Sequence, residues 1–374
     1  MAEKSALVTG ASGHCGTFMV KLLKEKGWHV VATDLKKQEQ DQLFQGAKKF
    51  FDKQFLSTFM DKDDVFIEAD LTKKETLKPL FDYDFDTIFS IASLYDYFAL
   101  LDDLMRINVG GLKNLIEMTL EKGNVKRFLH WSTCGVYGEP KYKKEKGFPL
   151  PADETAPYDP PNNYSITKAE QEKLLYKYYE EQKLPIIIIR PAPIVGPYQS
   201  YGGFHTFFIQ YAVGTTVIPA IYPRKKKLRF PCIHVEDLVR AAYHLATYEP
   251  VDKVIGEPFN VVHDSPYEED FIQLCGDTMG LRYFRIPIWF PMYKVFAKLA
   301  LLWSEYIEHK ARKRGVRSKI DVPMVKYITH NYYFSNKKIK DLGFRFKYTW
   351  DQAIVDTINW YYDHGWFERG FYKS

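Results

Sequence analysis

Short apolar runs and longer stretches of helical spacing alternate along most of this chain. Ala6-Leu7-Val8-Thr9 and His29-Val30-Val31-Ala32-Thr33 open the series, and runs follow at 65–69, 86–91, 126–131 and 184–190. Phe259-Asn260-Val261-Val262 is a late addition. Between them, residues 17–26, 73–81, 97–122, 163–182 and 233–248 read as helices. Strands alternating with helices predict a parallel sheet covered on both faces. The run at 184–190 is almost continuously apolar, as suits a strand buried on both sides. The predicted class is α/β, a doubly wound parallel sheet of about seven strands. Beyond Pro197 the alternation weakens. Gly202-Gly203 with Phe204, Phe207 and Phe208 predicts a loop and a helix over a pocket. Residues 1–191 plus 232–262 are expected to form the sheet domain. Residues 192–231 plus 263–374 are expected to form a smaller, discontinuous substrate-binding domain.

One stretch departs from this pattern. Trp289, Met292, Val295, Phe296, Leu299, Leu302, Trp303 and Ile307 recur at helical spacing, with Lys294, Lys298 and Glu305 on the other side. A basic segment follows, with Lys310, Arg312, Lys313, Arg314, Arg317 and Lys319. Prolines and charges interrupt the stretch, so it does not reach the ~20 apolar residues of a membrane span. It suits a helix packed over the second domain, or peripheral contact with a membrane surface through 286–319.

The chain is 46% hydrophobic and 16% aromatic over 374 residues, enough for a sizeable core. A net charge of +5 is too mild to mark a nucleic-acid partner. Cys15, Cys134, Cys232 and Cys275 are scattered, with no C-x-x-C pair. They predict neither a disulfide framework nor a metal site, and they suit a reducing, cytoplasmic compartment. No signal peptide fits ahead of the first strand.

Candidate chemistry begins after the first strand, at Gly10-Ala11-Ser12-Gly13-His14-Cys15-Gly16. The first glycine permits a tight turn, the second lets backbone approach a pyrophosphate, and the third lets the helix pack close. The helix N-terminus then offers free N–H groups to phosphate. Asp34 ends the second run, where an acid holds adenosine ribose hydroxyls and repels a 2′-phosphate. NAD is therefore the expected cofactor, while Lys36 and Lys37 keep NADP open. Asp70 and Leu71 end the third run, placed to meet the adenine; Asp70 also suits a helix N-cap. Ala92 and Ser93 are small enough for the chain to pass against the dinucleotide. Asn108 lies in the helix that follows, and Ser132 and Pro191 at the ends of later strands; all three join the cofactor candidates.

Ser132-Thr133-Cys134-Gly135-Val136-Tyr137-Gly138 arrives at the C-terminal end of the fifth strand, where open α/β sheets hold ligands. Tyr164 and Lys168 are four apart and share one helical face. Free tyrosine, with a pKa of about 10, is a poor base at neutral pH. A nearby ammonium and a positive nicotinamide both favour its phenolate. Cys134 has no evident His partner and reads as a small buried residue. Arg224 to Arg229 reads as a solvated basic turn.

Together these motifs resemble the extended short-chain dehydrogenase/reductase family, the NAD-dependent epimerase/dehydratase superfamily, over residues 5–262. The resemblance implies a Rossmann-type fold, with Tyr164, Lys168 and Thr133 as the catalytic set. Lys168 would also bind the nicotinamide ribose, and Thr133 would hold the substrate oxygen. It further implies a homodimer built on the helices at 97–122 and 163–182. Asp321-Val322-Pro323, Asn331-Tyr332-Tyr333-Phe334-Ser335 and Leu342-Gly343-Phe344 are similar to the 3β-hydroxysteroid dehydrogenase-like branch. That similarity implies interconversion of a secondary alcohol and a ketone on a steroid-like or lipid substrate. The alternative is a sugar-nucleotide epimerase, with Arg224, Lys225, Arg229 and Arg282 available to grip a diphosphate. Dehydratases of the superfamily carry an Asp-Glu pair after the Ser/Thr; here Cys134-Gly135 follows Thr133, which argues against dehydration.

Overall fold

Seven of the apolar runs form one sheet. Its strands are β1 (Ser5–Thr9), β2 (His29–Asp34), β3 (Val65–Glu68), β4 (Thr87–Ser90), β5 (Arg127–Trp131), β6 (Ile186–Pro191) and β7 (Pro258–Val261). The structure is a computed structural model that describes residues 4–35, 59–199, 204–318 and 320–368. Lys36, Lys37, Gly202, Gly203 and Lys319, named above, lie outside the described residues. The strand order is β7-β6-β5-β4-β1-β2-β3, and every pairing is parallel. Val8 faces Ala32 on one side and Phe89 on the other, which sets the central register. The strand order reverses between β1 and β4, and an open parallel sheet holds its ligand in the crevice at such a switch point.

Parallel strands need crossovers, and helices supply them here. The helices are α1 (His14–Glu25), α2 (Gly111–Lys122), α3 (Asn163–Gln182) and α4 (Val235–Ala246). Leu112, Leu115 and Ile116 of α2 and Leu175 of α3 cluster with Leu7, Ile88, Phe128 and Ile186 of the strands. The opposite face takes α1 and α4, where Trp28 meets Tyr243 edge-on at 5.9 Å. The expected helix over 97–122 begins only at Leu101, because 91–100 is a loop leaving β4. It is also interrupted by one π-helical turn, Met105–Gly110, ahead of α2.

By contact the chain divides into two units, one of residues 1–136, 163–191 and 235–261, the other of 137–162, 192–234 and 262–374. The loop 137–162, expected in the sheet domain, belongs to the second unit. Within that unit Ala152 bridges to Phe334, and the Tyr142 hydroxyl donates to the Asn331 carbonyl at 2.7 Å. The second unit also contains parallel strands Thr215–Tyr222 and Arg282–Trp289, and helices α5 (Glu268–Met279), α6 (Phe290–Lys313) and α7 (Trp350–Asp363). Its core holds Phe230, Phe271, Ile354, Ile358 and Tyr361. Phe207, expected over a pocket, is buried in that core.

One buried ion pair joins α3 to β6. Arg190 donates from Nη2 to Glu172 Oε2 at 2.6 Å and from Nε to Oε1 at 3.0 Å. Neither side chain is more than 2% exposed. The Ser132 hydroxyl donates to the same carboxylate. Removing one member of a buried, bonded pair strands the other charge and costs about 3–5 kcal/mol. Glu172→Ala is expected to lower stability by about that amount in urea unfolding. A loss under about 1 kcal/mol, the value of a solvated pair, would refute a structural role.

Candidate active site

The loop after β1 is shaped by contacts that exclude side chains. Gly10 has φ +67°, and a Cβ there would lie 2.9 Å from Ala92 Cα. A Cβ on Gly16 would lie 2.0 Å from the Gly10 carbonyl oxygen. The Gly13 N–H donates to that same oxygen at 3.1 Å. Gly13 is the N-cap of α1, which has no side-chain cap and no acid in its first turn. A helix start without a side-chain cap or an acid favours an anion. Ser12 donates to Asp34 Oδ2 from its backbone N–H at 3.0 Å and from its hydroxyl at 2.5 Å. Leu35 N–H donates to Asp34 Oδ1 at 2.8 Å. Asp34 thus ties the glycine loop to the end of β2. The His14 ring packs edge-on against Phe18 at 5.7 Å.

These residues fit a dinucleotide. The two glycines keep backbone bare where it must approach the pyrophosphate, α1 points uncapped N–H groups, and Asp34 marks the ribose end. Around this cradle, Ala92 N–H donates to Thr9 Oγ1 at 3.2 Å. Asp70 Oδ1 accepts from the Thr72 N–H and hydroxyl at 2.9 and 2.8 Å. That is an Asx turn; the following helix starts at Lys74 with Lys73 as its cap, so Asp70 is not the N-cap. The Leu71 carbonyl accepts from Asn114 Nδ2 at 2.8 Å. Pro191 ends β6 opposite Val261.

Lys168 sits one turn along α3 from Tyr164, and its Nζ lies 5.8 Å from the phenol ring centre. The amine is buried and donates to the Trp131 carbonyl at 2.6 Å and to Ser93 Oγ at 2.7 Å. Burial lowers its pKa to about 7, against the opposing pull of Glu172 and Cys15. Trp131 is two residues before Thr133, whose Oγ1 accepts from the Gly135 N–H at 3.0 Å. The Thr133 hydroxyl proton is left to donate to a ligand oxygen. Burial pushes the Cys15 thiol up to about 12, with Trp131 and Lys168 pulling the other way. Cys15 is thus an uncharged wall of the site rather than a nucleophile.

Two of the expected cofactor residues have their side chains engaged within the chain. The Ser132 side chain points to Glu172 because alternate strand residues face opposite sides, so its hydroxyl belongs to the buried ion pair. Asn108 is 2% exposed, and its amide is engaged by the chain. Its Oδ1 accepts from Leu94 N–H at 2.7 Å, and its Nδ2 donates to Leu94 O at 3.1 Å and Thr167 Oγ1 at 3.2 Å. Gln171 Nε2 donates to the Asn108 carbonyl at 2.6 Å. The same carbonyl also accepts from the Gly111 N–H at the end of the π turn. Asn108 therefore holds the loop after β4 to α3.

The sequence reading missed Tyr95 and Tyr97. Their rings stand 4.7 and 6.2 Å from that of Tyr164, and the Tyr95 hydroxyl donates to Tyr97 Oη at 3.2 Å. Their place just beyond the C-terminal end of β4, at the switch point, was the available signal.

The fold and this constellation define an NAD-dependent enzyme of the extended short-chain dehydrogenase/reductase type. The chain belongs to the NAD dependent epimerase/dehydratase family, whose profile matches residues 6–261. It is 24% identical to human dTDP-D-glucose 4,6-dehydratase, over 97% of this chain and 92% of that protein. It is 30% identical to the low-salt glycan biosynthesis protein Agl12 of Haloferax volcanii, over 62% of this chain and 69% of that one. Among solved structures, the UDP-glucose 4-epimerase of Thermotoga maritima superposes with a TM-score of 0.67 at 20% identity, covering 96% of this chain and 99% of that one. The dTDP-glucose 4,6-dehydratase of Bacillus anthracis, solved with NAD, gives 0.68 at 17%, covering 98% and 99%. These relatives correct the resemblance to the 3β-hydroxysteroid dehydrogenase-like branch. The first match runs through the carboxyl third, where the steroid-type similarity rested on scattered short patterns.

Lys168 also sets a pH test. Below pH 7 the folded chain bears the full cost of a buried ammonium. Between about 7 and the unfolded value near 10.4 the folded state has released that proton and the unfolded state has not, so stability rises with pH. Lys168→Met removes this dependence. Its melting temperature relative to the parent is expected to be highest near pH 6 and to fall steadily toward pH 9. A difference that grows with pH would refute the buried, weakly basic amine.

Proposed function

We propose that this chain epimerises a nucleotide-diphosphate sugar by NAD-dependent oxidation and re-reduction at one carbinol carbon. The carrying observation is the pair that follows Thr133. Cys134 is buried with its thiol donating to the Arg190 carbonyl at 3.0 Å, and Gly135 has no side chain. Loss of water from a sugar requires a group to remove a carbon-bound proton and an acid to protonate the leaving hydroxyl. Neither Cys134 nor Gly135 offers a carboxyl for that. Alcohol oxidation needs only a base at the hydroxyl and a donor to the resulting carbonyl oxygen, and Tyr164 and Thr133 are suited to those roles.

Bound NAD would accept and return the hydride. Tyr164, as phenolate, takes the sugar hydroxyl proton. Lys168, protonated, favours that phenolate. Thr133 donates to the sugar oxygen as it becomes a carbonyl. When the keto sugar presents its other face, Tyr164 returns the proton to the same oxygen, and the reaction closes with no net oxidation.

Within the second unit, one cation has the chemistry that phosphate binding uses. Arg224 to Lys226 form an exposed turn, as expected, but Arg229 is different. Its guanidinium lies 3.8 Å from the Tyr267 ring centre and 4.9 Å from that of Tyr333, and Nη1 donates to the Ser265 carbonyl at 3.0 Å. A guanidinium held this way keeps further N–H groups for phosphate oxygens. The steroid reading drew on the apolar residues near 286–307. Leu299 and Trp303 are 56% and 58% exposed, so they face solvent rather than wall a substrate. The relatives' names also favour the sugar-nucleotide reading over a lipid.

The test is incubation with NAD and either UDP-glucose or dTDP-glucose, followed by proton NMR of the sugar. The expected product is the C4 epimer, the carbon named in both 4-epimerase and 4,6-dehydratase relatives. Tyr164→Phe is expected to slow the reaction by about 10²–10⁴-fold while NAD still binds. A 4-keto-6-deoxy product would overturn the epimerase reading in favour of dehydration. Turnover of a 3β-hydroxysteroid with no action on either sugar would overturn it in favour of a lipid alcohol.

A further inference from the structure

The second unit wears an apolar helix face on the outside. In α6 the inward positions are Tyr293, Ser304 and Ala311. The outward stripe is Met292, Val295, Phe296, Leu299, Leu302, Trp303 and Tyr306, each between 52% and 61% exposed. That spacing is one continuous helical face about 20 Å long. Phe284 and Ile286 alternate along the preceding strand, at 61% and 50% exposure, and Phe284 pairs with Val217, which is also exposed. Apolar surface of this extent marks an interaction site.

Charge identifies the occupant. Residues 282–319 contain ten Lys and Arg against Glu305 and Glu308, a local balance of +8 in a chain whose total is +5. The rest of the chain is therefore net acidic. Glu308 is paired with Arg312 at 2.8 Å. Lys294, Lys298, Lys310, Lys313 and Arg314 flank the stripe and are exposed. A second copy docked face to face would set like charges together, whereas an anionic lipid surface complements them.

We propose that this face docks peripherally on an anionic lipid bilayer, with α6 lying in the headgroup layer and its apolar stripe turned into the acyl boundary. Trp289, Trp303 and Tyr306 have the amphipathic rings that settle at a lipid–water boundary. The lysines carry long apolar stems with charged tips that reach the headgroups. Among the described residues no helix is long and apolar enough to cross a membrane, which agrees with a surface contact. The apolar stripe and the cations named beside it include none of the residues assigned to NAD or sugar chemistry, so the docking stands or falls apart from the proposed reaction.

Flotation of the full chain with vesicles tests it. Phosphatidylcholine alone is compared with phosphatidylcholine mixed with phosphatidylglycerol, at low and high salt. The protein is expected to float with the mixed vesicles, with binding that weakens in high salt. Binding to phosphatidylcholine alone is expected to be at least about tenfold weaker, since each cation near an anionic surface contributes about fivefold. Leu299→Glu with Trp303→Glu is expected to cut binding at least about tenfold while NAD binding, followed by fluorescence, persists. If that variant fails to bind NAD, the exposed pair Lys294→Gln with Lys298→Gln supplies the readout, again with weaker binding to mixed vesicles. A chain that stays below the gradient with mixed vesicles would overturn the proposal, as would equal, salt-independent binding to both lipids. So would self-association in sedimentation velocity that Leu299→Glu with Trp303→Glu abolishes while vesicles bind nothing, since the face would then belong to a second copy.

Discussion

A buried amine is the constraint around which the first unit is arranged. Lys168 is removed from water at the C-terminal edge of a parallel sheet, where carbonyls of departing strands are available. Desolvation makes its charge costly, so the Trp131 carbonyl and the Ser93 hydroxyl must both be in place to receive it. Trp131 is held by β5, which also delivers Thr133. Ser93 is held by the loop after β4, which Asn108 clamps through Leu94. The Gln171 contact and the amide of Asn108 therefore both serve the position of one nitrogen.

The glycine loop, the alternation of strands and helices along the chain and the Tyr164–Lys168 spacing were legible because each is local. A periodic run, a turn that needs φ above zero and a four-residue helical step leave marks within a few residues of chain. Ser132 and Asn108 were harder. Whether a polar side chain faces a ligand or an internal partner depends on residues 40 to 60 positions away, Glu172 and Thr167 here. Tyr97 lay at the start of a predicted helix and Tyr95 just before it, and both proved to belong to a loop. The allegiance of 137–162 was hidden for the same reason, since its partners Asn331 and Phe334 come nearly two hundred residues later.

Substrate was the least legible property. An apolar helix beside a Rossmann-type sheet suggests a greasy ligand when read as a string. In three dimensions α6 buries Tyr293, Ser304 and Ala311 and turns most of its large apolar residues outward. Amphipathic periodicity reports that a helix has two faces, but not which one meets protein. Cys134 and Gly135 were more informative than the whole stripe, because chemistry at a strand end is limited by the functional groups physically present there.

The Asp34 carboxylate has a consequence for redesigning cofactor choice. It receives both the backbone and the hydroxyl of Ser12, so one residue anchors the phosphate loop and presents the charge expected to disfavour an extra phosphate. Replacing it with a neutral or basic residue would loosen the turn in the same stroke that altered preference. A switch toward the phosphorylated dinucleotide would thus call for a coupled exchange at positions 12 and 34, with a new partner supplied for the freed amide.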